Sequence, residues 1–196
     1  MNFLTNLLTR VRNILLRPDE EWRAIDRESG DPIHLFTRYV AILALIPALA
    51  GIIGGSVIGV SVEAGTFRVP LVIAMLNAAI SYLFTFVIVY GVALIIDGLA
   101  PSFGSERHFP SAMKLSAYSF TPTWLAGIFL VLPGLRFLSI LGLYAIFLLW
   151  RGLGPLMRVP KDKTLLYTAA VVVSALLVTF ALAMIQGVIA DLPRAI

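Results

Sequence analysis

Long stretches of apolar sequence without a charged residue constrain this chain most. Residues 39–62 form a run of 24 residues without a charge, residues 69–96 a run of 28 and residues 164–190 a run of 27. A helix needs about 20 apolar residues to cross the hydrocarbon core of a bilayer. Each run therefore predicts a membrane span. Charged residues make up only 13% of the chain, too few to cover a soluble surface, where about 25% is usual.

The stretch from residue 115 to 150 has one charge, Arg136, near its middle. Pro133 and Gly134 precede it and form a turn signal. We therefore predict one span before the turn and one after it, with Arg136 and Arg151 reaching the two interfaces through their long side chains. The alternative is a re-entrant hairpin, which a membrane tolerates only where protein buries it.

These runs predict an all-α, polytopic membrane helical bundle of five transmembrane helices, preceded by an amphipathic interfacial helix. The predicted units are an N-terminal segment, residues 1–34; a membrane domain, residues 35–191, with spans at about 37–62, 69–96, 115–132, 135–152 and 164–190; and a tail, residues 192–196.

The distribution of Lys and Arg predicts the orientation. Alternate sides of the five-span arrangement carry twelve basic residues against three, and the richer side is expected to be cytoplasmic. The N-terminus is then cytoplasmic and the C-terminus outside, or periplasmic in a bacterial inner membrane. Because the net charge of +4 is spread between apolar runs, we do not expect nucleic acid as a partner.

The N-terminal segment contains an amphipathic pattern. Apolar residues recur at helical spacing at Phe3, Leu4, Leu7, Leu8, Val11, Ile14 and Leu15. Such a helix lies in the headgroup layer, with arginines near anionic lipid. Candidate headgroup contacts are Arg10, Arg12 and Arg17, with Arg158, Lys161 and Lys163 from a later loop. The segment serves either as a simple anchor or as a cytoplasmic docking surface.

Polar residues in two spans form stripes with a spacing of three or four residues, so each stripe shares a helix face. The first is Asn77, Ser81 and Thr85, and the second is Ser116, Ser119 and Thr123. One interpretation is a polar seam between the second and third spans of a translocator or scramblase-like protein for lipid or a small solute. The other is hydrogen bonding between helices.

Gly51, Gly55 and Gly59 are also spaced by four. Small residues in this pattern let another helix approach closely. That helix belongs either to this chain or to a second copy in a homo-oligomer.

The sequence lacks the residues of a reactive centre. It has no Cys, and its two histidines, His34 and His108, are far apart. No nucleophile and base pair, Gly-rich phosphate loop or paired acids stand at useful spacing. We therefore predict a non-enzymatic membrane protein without metal or cofactor, which organises partner proteins or local lipid.

Several short motifs follow one another along the chain. Pro18 and Trp22 lie in an N-terminal motif, and Tyr118, Ser119, Thr121 and Pro122 lie in a Tyr-Ser-x-Thr-Pro motif; Gly142-Leu143-Tyr144 and the run from Gly152 to Met157 come later. The motifs and their order resemble those of the Yip family of membrane proteins, whose eukaryotic members are named for binding Ypt and Rab GTPases. The resemblance covers about residues 15 to 167 and implies a five-helix bundle with a cytoplasmic N-terminus. With about 34 residues before the first span, the chain resembles the short bacterial type, for which the family suggests no established activity.

Overall fold

The computed structural model describes residues 3–28, 31–62 and 65–191. Two helices precede the bundle, α1 (Phe3–Leu16) and α2 (Pro18–Arg27). Helix α3 is continuous and consists of Pro32–Leu35, the π-helical Phe36–Val40, Ala41–Ile52 and the π-helical Ile53–Ile58. It is followed by the strands β1 (Val60–Val62) and β2 (Gly65–Phe67) and by α4 (Leu71–Leu99), which ends in a 3-10 turn, Ala100–Phe103. The chain continues through α5 (Phe109–Ser119), α6 (Thr121–Ala126), the 3-10 segments Gly127–Val131 and Pro133–Leu143, α7 (Tyr144–Met157) and α8 (Lys161–Asp191).

Within the described residues, four helical stretches are long and apolar enough to cross a membrane. They are Ile33–Ile58, Leu71–Phe103, Pro133–Met157 and Lys161–Ala181, with mean hydropathy from 1.7 to 2.4. In each stretch, at most 28% of the 18 consecutive residues with the highest hydropathy are buried inside the protein. The remaining apolar surface can only be solvated by lipid, so the chain is an all-α membrane bundle.

The predicted third span, residues 115–132, does not form one continuous helix. The chain runs there through α5, a turn at Phe120, α6 and a 3-10 segment. Pro122 explains the break, because proline removes a backbone donor and its ring clashes with the carbonyl four residues earlier. The structure therefore has a broken segment where the sequence predicts a span.

The first span ends earlier than predicted. Gly59 has φ of +80° and closes the helix after Ile58, a backbone conformation that glycine adopts without strain. The next residues pair as a short antiparallel hairpin, with Val60 opposite Phe67. β-branched residues favour strands, so an apolar run without charge overestimates the length of the helix.

Close packing is concentrated at one end of the bundle. The fully buried side chains include Trp22 and Ile25 of α2, Ile96 of α4 and Leu153 of α7, and they form one cluster with α1. Toward the other end the apolar side chains are exposed. Exposed examples are Val57, Leu71, Phe137, Leu141 and Leu177. The bundle thus has a packed end and an opposite end where apolar side chains are exposed.

The basic segments meet at the packed end. The Ser105 hydroxyl donates to the Met157 carbonyl, which joins the α4–α5 loop to the end of α7. A Cβ on Gly104 would lie 3.3 Å from Lys163 Nζ of α8. Lys114 of α5 donates to the Ile25 carbonyl at 3.1 Å. We call α1, α2 and the loops 104–108 and 158–160 the headpiece.

Candidate functional site

Trp22 anchors the headpiece to the bundle. Its side chain is 0% exposed and lies against Gly152 of α7, where a Cβ would come within 2.7 Å of the indole Cε2. The same Cβ would lie 2.5 Å from Leu115 Cδ1. Because Cβ atoms are not found at such distances from other atoms, only glycine at 152 permits α2 to seat its indole between α5 and α7.

The Thr-Pro sequence at the break joins the broken segment to α3. Pro122 has no N–H, so the Tyr118 carbonyl, four residues earlier, loses its helical donor. The Thr121 hydroxyl replaces it and donates to that carbonyl at 2.7 Å. The Thr121 Oγ1 then accepts from the Tyr39 hydroxyl of α3, also at 2.7 Å. The Tyr118 carbonyl that the break frees is therefore hydrogen-bonded.

An aromatic cluster links these two contacts. The Tyr118 ring lies between Trp22, with centroids 6.4 Å apart, and Tyr39, with centroids 4.6 Å apart, both edge to face. Trp124 lies 6.5 Å from Tyr39 on the other side. Such geometry stabilises aromatic pairs beyond the area that they bury. Residues distant in sequence thus form one unit at the junction of α2, α3 and α5.

Arg10 of α1 covers this cluster. Its guanidinium donates to Glu21 at 2.5 Å and to Glu28, and lies 5.6 Å above the Tyr118 ring. Burial acts to lower the pKa of Arg10, but the facing Tyr118, Glu28 and Glu21 outweigh it and raise the pKa above its ordinary value. Arg10 therefore remains charged, and its charge is used within the protein.

A second ion pair fixes α2 to α7. Arg151 Nε donates to Asp19 Oδ1 at 2.6 Å, and the second guanidinium nitrogen binds Oδ2. The Tyr144 hydroxyl donates to the Leu15 carbonyl at 3.0 Å. A two-point contact between arginine and carboxylate restricts geometry more than a single charge pair. The α1–α2 corner is thereby held along α7.

Two of the clefts beside the headpiece are lined by Glu28. The smaller, of ≈370 Å³, lies between α1 and the start of α3 and includes Arg10, His34 and Arg38. The larger, of ≈780 Å³, is lined by both signs of charge from Glu28, Lys114 and the 104–108 loop. In the part of the chain that the structure describes, no three His, Asp or Glu residues are grouped to hold a metal.

Comparison with known proteins identifies the family. The sequence profile of the Yip1 domain matches residues 12–183. The chain belongs to the Yip1 domain family. It is 27% identical over 178 residues to the inner membrane protein YohC of Escherichia coli, in each of two strains, covering 87% of this chain and 90% of the relative. No solved structure matches it.

Three of the motif residues that resemble Yip proteins, Trp22, Tyr118 and Thr121, belong to the junction just described. Pro18 begins α2, whereas Trp22, Tyr118 and Thr121 are in contact or hydrogen-bonded through Tyr39. The matched profile of the Yip1 domain therefore spans residues whose contacts hold the headpiece on the bundle.

Other members of the junction were not predicted as site residues. They are Tyr39, Gly152 and Glu21. Glu21 pairs with Arg10, which the sequence predicted as a headgroup contact instead. Arg10 and Glu21 are eleven residues apart, across the break at Pro18, so helical spacing does not connect them. The adjacency of Glu21 to Trp22 in the N-terminal motif was the available signal.

The two polar stripes of this Yip1-domain chain are not brought together. The Asn77, Ser81 and Thr85 side chains line a cleft of ≈380 Å³ between α3 and α4. The second stripe, Ser116, Ser119 and Thr123, lines a separate cleft of ≈270 Å³ beside α7 and α8. The structure therefore has two clefts where the sequence suggests one seam.

Several stripe hydroxyls bond to the backbone. The Ser116 hydroxyl donates to the Val89 carbonyl of α4 at 2.7 Å, and the Thr123 hydroxyl donates to the Gly142 carbonyl at 3.2 Å. Both bonds join neighbouring segments, as polar residues in membrane bundles commonly do. The buried Ser119 hydroxyl has no partner among the described residues.

The glycine stripe does not form the close helix contact. A Cβ on Gly51 would meet nothing within 4 Å, and one on Gly55 would meet only Val69 at 3.8 Å or more. Gly59 lies in the turn after the helix. The close approaches are at Gly54, where a Cβ would lie 2.0 Å from the Leu130 carbonyl oxygen, and at Gly127, against Pro47.

The predicted headgroup contacts divide into two groups. Arg10 is engaged by two carboxylates. The remaining five are exposed around the headpiece: Arg12, Arg17, Arg158, Lys161 and Lys163. Arg17 is 3.9 Å from Glu20, an exposed pair of small energetic weight.

Proposed function

We propose that this protein is a non-enzymatic organiser of the membrane around it, which acts on local lipid or partner proteins through its headpiece. The exposed apolar edge of α1 carries this proposal. Leu4 is 62% and Leu8 65% exposed, whereas Leu7, Val11 and Ile14 are buried against the bundle. One face of α1 packs against the bundle, and the neighbouring face is apolar and exposed. This exposed face is a second surface that needs a partner.

The arginines beside the exposed edge of α1 favour lipid as the partner of that edge. The exposed apolar edge of α1 runs beside Arg12, and Arg17 follows at its end. Apolar side chains at the acyl boundary with arginines at the headgroups are the usual composition of an interfacial helix. Each basic residue near an anionic leaflet contributes about 1 kcal/mol to the attraction. We therefore propose that α1 lies in the headgroup layer and orders anionic lipid beside the bundle.

We further propose five spans, with the headpiece in the cytoplasm. The broken segment from Phe109 to Val131 has 23 residues, which extend about 35 Å at helical rises and exceed the roughly 30 Å of the hydrocarbon core. Five crossings put the hairpin Val60–Phe67 on the side opposite the headpiece. The basic loops then lie on the cytoplasmic side, as positive charges do in membrane proteins.

Single cysteines test this topology, because the chain has none of its own. Thr5→Cys, Ser105→Cys and Asp162→Cys are expected to react with a membrane-impermeant maleimide only after cells are opened. Thr66→Cys and Gly134→Cys are expected to react in intact cells. Labelling of residue 134 from the cytoplasmic side would indicate a re-entrant hairpin and contradict five spans.

A photoreactive side chain on α1 tests the proposed function. A diazirine amino acid at Leu8 is expected to crosslink phospholipid in native membranes, because this position is 65% exposed. The adjacent Leu7 is 9% exposed and serves as the matched control, with crosslinks only within the chain. If the probe at Leu8 instead crosslinks one protein reproducibly, the partner of this edge is a protein and not lipid. Identical products at both positions would contradict a second surface on α1.

A further inference from the structure

Arg136 is an exposed cation in an apolar surface. It belongs to the span Pro133–Met157 and lines the cleft between α3 and α4 together with Asn77. Among the described residues, neither side chain forms an ion pair or hydrogen bond. An exposed cation without a partner at the edge of an apolar groove attracts a group of opposite charge, so the cleft is expected to receive an anionic group.

The remaining walls of this cleft suit a chain rather than a compact anion. Small side chains line it from both helices, Ala44, Ala48, Gly51 and Gly55 of α3 and Ala74 and Ala78 of α4. A Cβ on Gly51 would meet nothing within 4 Å, so the groove beside it is open. Its volume of ≈380 Å³ is mostly bounded by apolar groups.

Arg136 and Asn77 lie at the depth in the membrane where a lipid headgroup is expected. Arg136 follows Pro133 by three residues, about 6 Å along a 3-10 helix, and Asn77 follows Leu71 by six residues, about 9 Å along α4. The 29 residues of α4 extend roughly 44 Å and exceed a hydrocarbon core of about 30 Å. Both groups therefore lie near the boundary of the leaflet opposite the headpiece.

We propose that this cleft binds a phospholipid of the leaflet opposite the headpiece. Its phosphate lies against the Arg136 guanidinium and the Asn77 amide, and one acyl chain lies along Gly51 and Gly55. Arginine binds phosphate through paired N–H groups, and the bilayer supplies phosphate and acyl chain in one molecule. This site is independent of the headpiece, so either proposal can fail without the other.

The test uses full-length, delipidated protein in mild detergent, with lipid binding measured by native mass spectrometry. Two probes share their acyl chains, dioleoyl phosphatidylglycerol and dioleoylglycerol, which lacks the phosphate. Wild-type protein is expected to bind the phospholipid at least about tenfold more tightly, as expected for a hydrogen bond to a charged group. Arg136→Gln removes this preference, and Gly51→Leu fills the groove and weakens binding of both probes.

Matched controls separate the cleft from general effects. Arg27→Gln makes the same change of charge on the exposed surface of α2, and Gly91→Leu adds the same side chain at a glycine of α4 with nothing within 4 Å of its Cβ. Both are expected to bind like wild type. Equal affinity of wild type for the two probes, or unchanged preference in Arg136→Gln, would overturn the proposal. Displacement of the phospholipid by inorganic phosphate would assign the site to a free anion and overturn the lipid assignment.

Discussion

Trp22→Ala is expected to lower the free energy of unfolding by about 3–5 kcal/mol, the usual cost of removing a buried large aromatic side chain. The indole is 0% exposed and fills the space between Gly152 and Leu115. Its Nε1 forms no hydrogen bond with the described residues, so the loss comes from packing alone. Denaturant unfolding in detergent, followed by circular dichroism, measures the change.

Trp150→Ala is the matched control. Trp150 belongs to α7, but its side chain is 37% exposed, so its removal leaves no closed cavity. Surface substitutions of this kind change stability by about 0.5 kcal/mol. Equal losses for the two variants would mean that α2 is not held by its indole.

A second substitution at the same contact shows whether size is the cause. Gly152→Val places a Cβ 2.7 Å from the indole and is expected to cost about 1–3 kcal/mol in the wild-type background. In Trp22→Ala the new side chain enters the vacated space, so the two costs do not add. Strict additivity would contradict the direct contact.

Absence of charge predicts where the chain can cross a membrane, but not the local conformation of the backbone. Residues 69–96 contain no charge, and the observed α4 continues beyond Asp97 to Leu99. Residues 39–62 contain none either, yet Gly59 ends the helix and a strand follows. Hydropathy is averaged over many residues, whereas one residue with a positive φ, or one proline, can end a helix or strand.

Helical spacing predicts which residues share a face, but not which neighbour that face meets. Asn77, Ser81 and Thr85 do line one cleft. The residues expected to face them from the third span line another. The helix also becomes π-helical from Ile53 to Ile58, which changes the number of residues per turn. Gly54, next to the predicted Gly55, is the residue that faces the neighbouring segment.

Gly54→Ala is the second substitution with a large expected effect. The added Cβ would lie 2.0 Å from the Leu130 carbonyl oxygen and 2.9 Å from that of Val131. Both atoms belong to the backbone, so no side chain can rotate away. The broken segment must move from α3, and we expect a loss of about 3 kcal/mol, at the upper end for overpacking. Thermal unfolding in detergent measures it.

Gly51→Ala provides a control of the opposite sign on the same helix. Its Cβ would meet nothing within 4 Å, and alanine is favoured over glycine inside a helix by about 0.5–1 kcal/mol. The variant is therefore expected to be as stable as wild type or slightly more stable. Equal destabilisation by the two substitutions would mean that α3 meets its neighbour through the predicted glycine stripe. The expected difference instead assigns the contact to Gly54 and leaves the Gly51 groove open to lipid.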